Sequence, residues 1–209
     1  MTDRKSLGVG EGGESVLGKI RAAAAAGVDW VQIREKDLCG RELLALAREA
    51  VAGGGGTRVI VNDRVDVALA AGAAGVHLGR ESLSARDVVR WCSSGNAPAE
   101  FLVGVSCHSL EEAREAESAG AAYIFFGPVF DTPSKRGMGG PQGVARLAEI
   151  CRSVAIPVVA IGGVSEQNAR DCIGAGAAGI AAIRMLQEAR DGAAMNAVIE
   201  RLHALGASR

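Results

Sequence analysis

Aromatic residues are scarce, at 3% of 209 residues, although apolar residues make up 48%. A core built from this chain must therefore be packed by Ala, Val, Ile and Leu. An excess of positive charge is also lacking, since the formal net charge is -1. That excludes a general binder of nucleic acid or of an acidic membrane surface, because both need a basic face. No apolar run reaches the length of a membrane span, and no signal-peptide pattern is present. The expectation is a cytoplasmic protein with no nucleic-acid or membrane partner. Cysteine pairs at C-x-x-C spacing are missing too. Cys39, Cys92, Cys107, Cys151 and Cys172 are odd in number and scattered. They read as reduced, mostly structural thiols, and their spacing does not suit a zinc site.

Glycine, by contrast, is abundant, with 29 residues and no low-complexity tract. Such an excess points to many tight turns. Several of the glycines belong to a recurring phrase. It occurs as Ala26-Gly27-Val28, Ala71-Gly72-Ala73, Ala119-Gly120-Ala121 and Ala175-Gly176-Ala177, roughly 45 to 56 residues apart. Each copy follows a helical pattern and precedes an apolar run. The reading is a helix that ends on a left-handed glycine, then a short turn into a strand.

Seven apolar runs of strand length result: Trp30–Ile33, Val59–Val61, Gly75–Leu78, Phe101–Val105, Tyr123–Phe126, Val158–Ile161 and Ile180–Ile183. Runs apolar on both faces are the mark of buried parallel strands. Helical patterns alternate with them at Glu14–Ala26, Arg41–Ala52, Arg64–Ala71, Ser84–Cys92, Leu110–Ala119, Val144–Val154 and Glu166–Ile173. Ser109 and Ser165 read as N-caps. The alternation predicts an α/β fold, a (β/α)8 TIM barrel over residues 1–209 as one domain. Its eighth strand has to come from the N-terminus. There Thr2-Asp3-Arg4 leaves room only for a short or truncated first strand. Open sheet edges invite pairing, so a homo-oligomer is within the expectation.

In such a fold chemistry gathers at the carboxyl ends of the strands. Gln32, Arg34 and Lys36 alternate after the first apolar run and point to one side. Arg34, Lys36 and Lys135 supply positive charge for phosphate oxygens, and Thr132 and Ser134 supply hydroxyl donors. Gly162-Gly163, ahead of the helix expected from Ser165, lets backbone N–H groups approach an anion, or forms a plain turn. Asn62-Asp63 reads either as hard oxygen ligands for Mg²⁺ or as the cap of the next helix. The Arg34-Glu35-Lys36 cluster is equally open, since such triplets also form surface ion pairs. His77 reads as a packed core histidine, and His108 as either catalytic or capping.

Several of these segments together resemble thiamine phosphate synthase. They are Gln32-Ile33-Arg34-Glu35-Lys36, Asn62-Asp63, Gly75-Val76-His77-Leu78-Gly79, Gly104-Val105-Ser106-Cys107-His108, Gly127-Pro128-Val129-Phe130 with Thr132-Pro133-Ser134-Lys135, and Gly162-Gly163. The related thiazole tautomerases share the fold and much of the pattern. The resemblance implies a transferase that joins an aminopyrimidine diphosphate to a thiazole phosphate and releases pyrophosphate. It implies that pyrophosphate leaves first, and that the thiazole nitrogen attacks a stabilised pyrimidine cation. By position, Gln32, Arg34, Lys36, Asn62, Ser106 and Lys135 are then expected to hold the pyrimidine diphosphate. Arg34, Lys36, Ser106 and Lys135 carry the catalysis in this reading, and Asp63 binds Mg²⁺. Thr132, Ser134, Gly163 and the backbone at Ile183 and Arg184 are expected to hold the thiazole phosphate.

The chain departs from the pattern in places. The synthases carry a second Mg²⁺-binding Asp where this chain has Ser82 after Glu81, and a Ser where it has Arg184. The tautomerases use a His where this chain has Pro128, the residue found in the synthases. Two alternatives to the synthase follow from the same residues. One is a metal-independent tautomerase with His108 or Cys107 as acid–base group. The other is a non-catalytic binder of thiazole phosphate or thiamine phosphate.

Overall fold

The structure is a computed structural model that describes residues 1–4, 15–132, 140–187, 189 and 191–206. Seven parallel strands alternate with helices, an α/β fold of the TIM-like class. They are β1 (Trp30–Ile33), β2 (Arg58–Asn62), β3 (Gly75–Leu78), β4 (Leu102–Cys107), β5 (Tyr123–Phe126), β6 (Val158–Ile161) and β7 (Gly179–Ala181). The helices are α1 (Val16–Ala25), α2 (Gly40–Gly53), α3 (Val65–Ala71), α4 (Ala85–Trp91), α5 (Leu110–Ser118), α6 (Gly143–Ser153), α7 (Ala169–Gly174), α8 (Arg184–Gln187) and α9 (Gly192–Gly206). No described helix is long and apolar enough to cross a membrane. All five cysteines are free thiols.

The chain forms two compact units. The first holds Met1–His77 and Ile183–Arg201. In it β1 pairs with β2 and β2 with β3, all parallel. Its buried apolar side chains include Val31, Ile33, Leu43, Val59, Ile60, Val61 and Val76. The second unit holds Leu78–Ala182 and Leu202–Arg209. There β4, β5, β6 and β7 pair in chain order, again parallel. Ile124, Phe126, Leu147, Ile150, Val158 and Ala160 make its core with small residues such as Ala113, Ala121 and Ala177.

The repeated glycine works as the sequence predicts. Gly27, Gly72, Gly120 and Gly176 all take positive φ, at 85°, 68°, 85° and 102°. Each ends a helix and turns the chain into the next strand. The differences lie elsewhere. The last strand is Gly179–Ala181, so Ile183 falls beyond it and Arg184 opens α8. Ser109 does cap α5, accepting the Glu112 N–H at 3.1 Å. Ser165 does not cap α7. Asn168 precedes that helix, and its Oδ1 accepts the Ser165 N–H at 2.8 Å.

Thr2 lies along β1: its N–H donates to the Gln32 carbonyl at 2.8 Å. Its Oγ1 accepts the Arg34 N–H at 3.0 Å. The hydroxyl thus stands in for a backbone acceptor at the end of a very short extended segment.

Candidate active site

In the first unit the site grows from the end of β1. Gln32, Arg34 and Lys36 step outward along one side, from buried to half-buried to exposed. Glu35 takes the opposite side and is buried, with 5% of its surface exposed. Both of its carboxylate oxygens accept the Arg4 N–H at 3.2 Å, and the Arg4 guanidinium lies 3.7 Å away. The same guanidinium bonds Asp37 at 2.8 Å. Arg4 therefore engages the acids that flank the two strand-end cations. Neither Arg34 nor Lys36 is in an ion pair among the described residues. Among the described residues the acid of this triplet pairs with Arg4 and with neither of its own cations.

Gln32 shows a second sign of a site. Its Nε2 donates to Asn62 Oδ1 at 3.1 Å, across the β1–β2 pairing. Its Oε1 is buried with no hydrogen-bond partner among the described residues. A buried orphan acceptor costs about 1–3 kcal/mol, which native structures rarely leave uncompensated. A ligand N–H donor would compensate it.

Asn62 and Asp63 do not cap α3, which begins at Val65 with no side-chain cap at Arg64. Asp63 instead turns into the left-handed region at φ 68°, and its N–H donates to the His77 carbonyl at 2.9 Å. Its side chain is exposed. The neighbouring Arg64 pairs with Asp66 at 2.5 Å, so the Asp63 carboxylate is in no ion pair among the described residues. Mg²⁺ is commonly held by one or two carboxylates plus substrate phosphates. A single uncommitted carboxylate at a strand end fits that mode. His77 is core, as expected, and burial pushes its imidazole down to about 3.

In the second unit the corresponding ends are tied together by backbone. The Val129 N–H donates to the Ile161 carbonyl and the Phe130 N–H to the Gly162 carbonyl, each at 3.0 Å. Gly162 and Gly163 take φ 93° and 66°. A Cβ on Gly162 would lie 2.6 Å from Pro128, and one on Gly163 would lie 2.5 Å from the Asp131 carbonyl oxygen. Only glycine fits either place. Asn168 closes the loop by donating from Nδ2 to the Gly163 carbonyl at 3.0 Å. The N–H groups of Gly163 and Val164 have no acceptor among the described residues. Successive N–H groups freed by left-handed residues form an anion-binding concavity. The donors come from this turn and not from a helix end, because α7 starts only at Ala169.

Thr132 and Ser106 are half-buried, and Ser106 lies in β4 opposite Phe125. Ile183 is half-buried and Arg184 exposed. Ser134 and Lys135 lie outside the described residues. Ser82 Oγ accepts the Gly79 N–H at 2.7 Å, so its hydroxyl closes a local turn. Cys107 is fully buried. Burial, with Glu112 and Glu115 nearby, pushes its thiol up to about 12. Both effects favour the neutral thiol. Thr2, Arg4, Gln142 and Asn168 were not expected to take part. Only the polar residues just past Gly162-Gly163 hinted at one of them, Asn168.

Strand-end cations, a buried amide oxygen, an exposed carboxylate and a tight glycine turn are carried here on an α/β fold of the TIM-like class. The family model described as thiamine monophosphate synthase matches residues 2–186. The chain belongs to that family. It is 45% identical over 185 residues to a putative thiamine-phosphate synthase of Geobacter sulfurreducens, covering 88% of this chain and 83% of that one. It is 39% identical over 210 residues to the thiamine-phosphate synthase of a Roseiflexus species, covering 100% and 84%. The solved thiamine phosphate pyrophosphorylase of Pyrococcus furiosus superposes with a TM-score of 0.84 at 33% identity, covering 99% and 93%.

Proposed function

We propose that the chain carries out the synthase reaction of its family, joining an aminopyrimidine diphosphate to a thiazole phosphate with release of pyrophosphate. The observation that carries this reading is the buried Gln32 Oε1, which has no donor among the described residues although Gln32 Nε2 is held by Asn62. The exocyclic amine of an aminopyrimidine is the donor it lacks. Arg34 and Lys36, with Lys135, face the diphosphate and stabilise negative charge as the carbon–oxygen bond to it breaks. Ser106 donates to the same leaving group. The thiazole nitrogen then forms the new carbon–nitrogen bond. Thr132, Ser134 and the N–H groups at Gly163 hold the thiazole phosphate, with the backbone at Ile183 and Arg184. Bound through Asp63 and the substrate's own oxygens, Mg²⁺ would neutralise diphosphate charge.

The same reading takes the fold as a single (β/α)8 barrel over 1–209, with the segment at Thr2 in the place of the first strand, in a cytoplasmic enzyme. The pairing of Thr2 with β1 supports it. The tautomerase alternative is weakened, since Cys107 is buried with a raised thiol and position 128 is Pro.

The test is pyrophosphate release by the purified protein, given both substrates with and without Mg²⁺. Mg²⁺-dependent release with thiamine phosphate formed is the expected result. A folded protein that binds both substrates and releases nothing is a binder, not a synthase.

A further inference from the structure

The reaction as proposed leaves His108 without a task, yet few side chains in the second unit are held so firmly. His108 directly follows β4. Its ring Nδ1 meets the carbonyl oxygen of Gly127, directly after β5. A carbonyl can only accept, so Nδ1 carries the proton of this contact. The backbone is held as well. The His108 N–H donates to Glu112 Oε2 at 2.5 Å, and its carbonyl accepts from Gln142 Nε2 at 2.6 Å. Glu112 is steadied by the Ser109 hydroxyl, which accepts the Glu112 N–H, and its other oxygen lies 3.9 Å from Arg80.

What the ring holds is the root of the loop that packs on the glycine turn. Gly127 is pressed against the end of β6, where a Cβ would fall 2.0 Å from the Ile161 carbonyl oxygen. From there Pro128 lies on Gly162, and Phe130 and Asp131 lie on Gly163. The Pro128 carbonyl accepts the Gln142 N–H at 2.8 Å, so the residue that holds the His108 carbonyl also holds this loop. A shift of the Gly127 carbonyl would therefore move Pro128 against Gly162 and tilt the Gly163 N–H.

We propose that His108 is a positioning residue: its Nδ1–H, given to the Gly127 carbonyl, sets the 127–131 loop and through it the anion-binding turn at Gly162-Gly163. This rests on the reading of that turn as the thiazole-phosphate cradle.

Three variants separate this role from proton transfer. Asn places its Nδ2–H near the imidazole Nδ1 position, Gln places its Nε2–H near the imidazole Nε2 position, and Ala supplies neither. His108→Ala is expected to raise KM for thiazole phosphate about tenfold with kcat little changed, the loss of one buried hydrogen bond. His108→Asn restores KM to within about threefold, while His108→Gln stays impaired. Calorimetric titration with thiazole phosphate should show the same order in Kd. Nitrogen-15 NMR of the wild type should show His108 protonated at Nδ1, a readout independent of activity and of the folding of any variant.

Protonation at Nε2 alone overturns the assignment. So does an Asn variant as weak as Ala, or a loss confined to kcat with a shifted pH profile. A wild type that binds thiazole phosphate without turnover sinks the synthase reading alone, and the binding series still decides His108. A wild type that turns over, with KM untouched in His108→Ala, sinks the positioning role alone. A wild type that does not bind thiazole phosphate removes the cradle and the assignment together.

Discussion

Acid should weaken this protein through His77 before its carboxylates titrate. His77 sits in β3 with 1% of its surface exposed, paired with Asn62 in β2. Burial lowers its pKa from an ordinary value near 6.5 to about 3. The folded protein therefore keeps the ring neutral across a range in which the unfolded chain binds a proton. The His77 contribution is full above about pH 6.5 and falls as pH drops toward 3, because the unfolded state gains the proton first. The slope is about 1.4 kcal/mol per pH unit, so moving from about pH 7.5 to 5 costs about 2 kcal/mol. Urea unfolding at several pH values, for the wild type and His77→Gln, measures it. Every other titrating group, the buried Met1 amine included, remains in the variant, so their contributions cancel in the comparison. Over the same range the variant should lose about 2 kcal/mol less than the wild type. A variant whose stability falls as steeply as the wild type's would refute the argument, whatever its stability at neutral pH. The loss also has a functional side, since the His77 carbonyl holds the Asp63 N–H.

Two more predictions follow from the loops. Gln32→Leu removes the orphaned acceptor along with its bond to Asn62, so stability should change by less than about 1 kcal/mol. KM for the pyrimidine diphosphate should nevertheless rise at least tenfold; unfolding curves and steady-state kinetics on the same preparation check both. Gly163→Ala forces a Cβ to 2.5 Å from the Asp131 carbonyl oxygen at φ 66°, and should cost at least about 1–2 kcal/mol and weaken thiazole-phosphate binding in calorimetry. Gly174→Ala is the control, because that glycine is in α7 with nothing near its Cβ position, and it should be neutral or stabilising.

The strands and the helix ends were legible in the sequence because each rests on a local rule. An apolar run of four or five residues buried on both faces is a strand wherever it falls, and Gly27, Gly72, Gly120 and Gly176 each mark a helix end through backbone sterics alone. The start of α7 was misplaced because two residues within one turn could cap it. Ser165 and Asn168 are both good N-cap residue types, and Asn168 precedes the helix without a side-chain cap bond, its amide bonding the Ser165 N–H and the Gly163 carbonyl instead. Sequence spacing contains that second bond only once the turn is known. The end of β7 was placed too late because Ile183 suits a strand and a helix equally, while Arg184 already begins α8.

The site was legible as a set of residue types but not as a set of commitments. Gln32, Arg34, Lys36 and Asp63 could be named from strand-end position and charge. Whether they are free to bind anything depends on which partners their neighbours take, and those partners are remote in sequence. Glu35 could have neutralised Arg34 or Lys36; it turns to Arg4, more than thirty residues away. Asp63 could have paired with Arg64, which chooses Asp66. In each case a structural cation or acid takes up the charge that would have closed the site. In the proposed reading, the site of this chain thus depends on residues outside its ligand contacts as well. Thr2 and Arg4 hold the end of β1 in place, and Asn168 and His108 hold the glycine turn. A sequence comparison restricted to ligand-contacting positions would pass over all four.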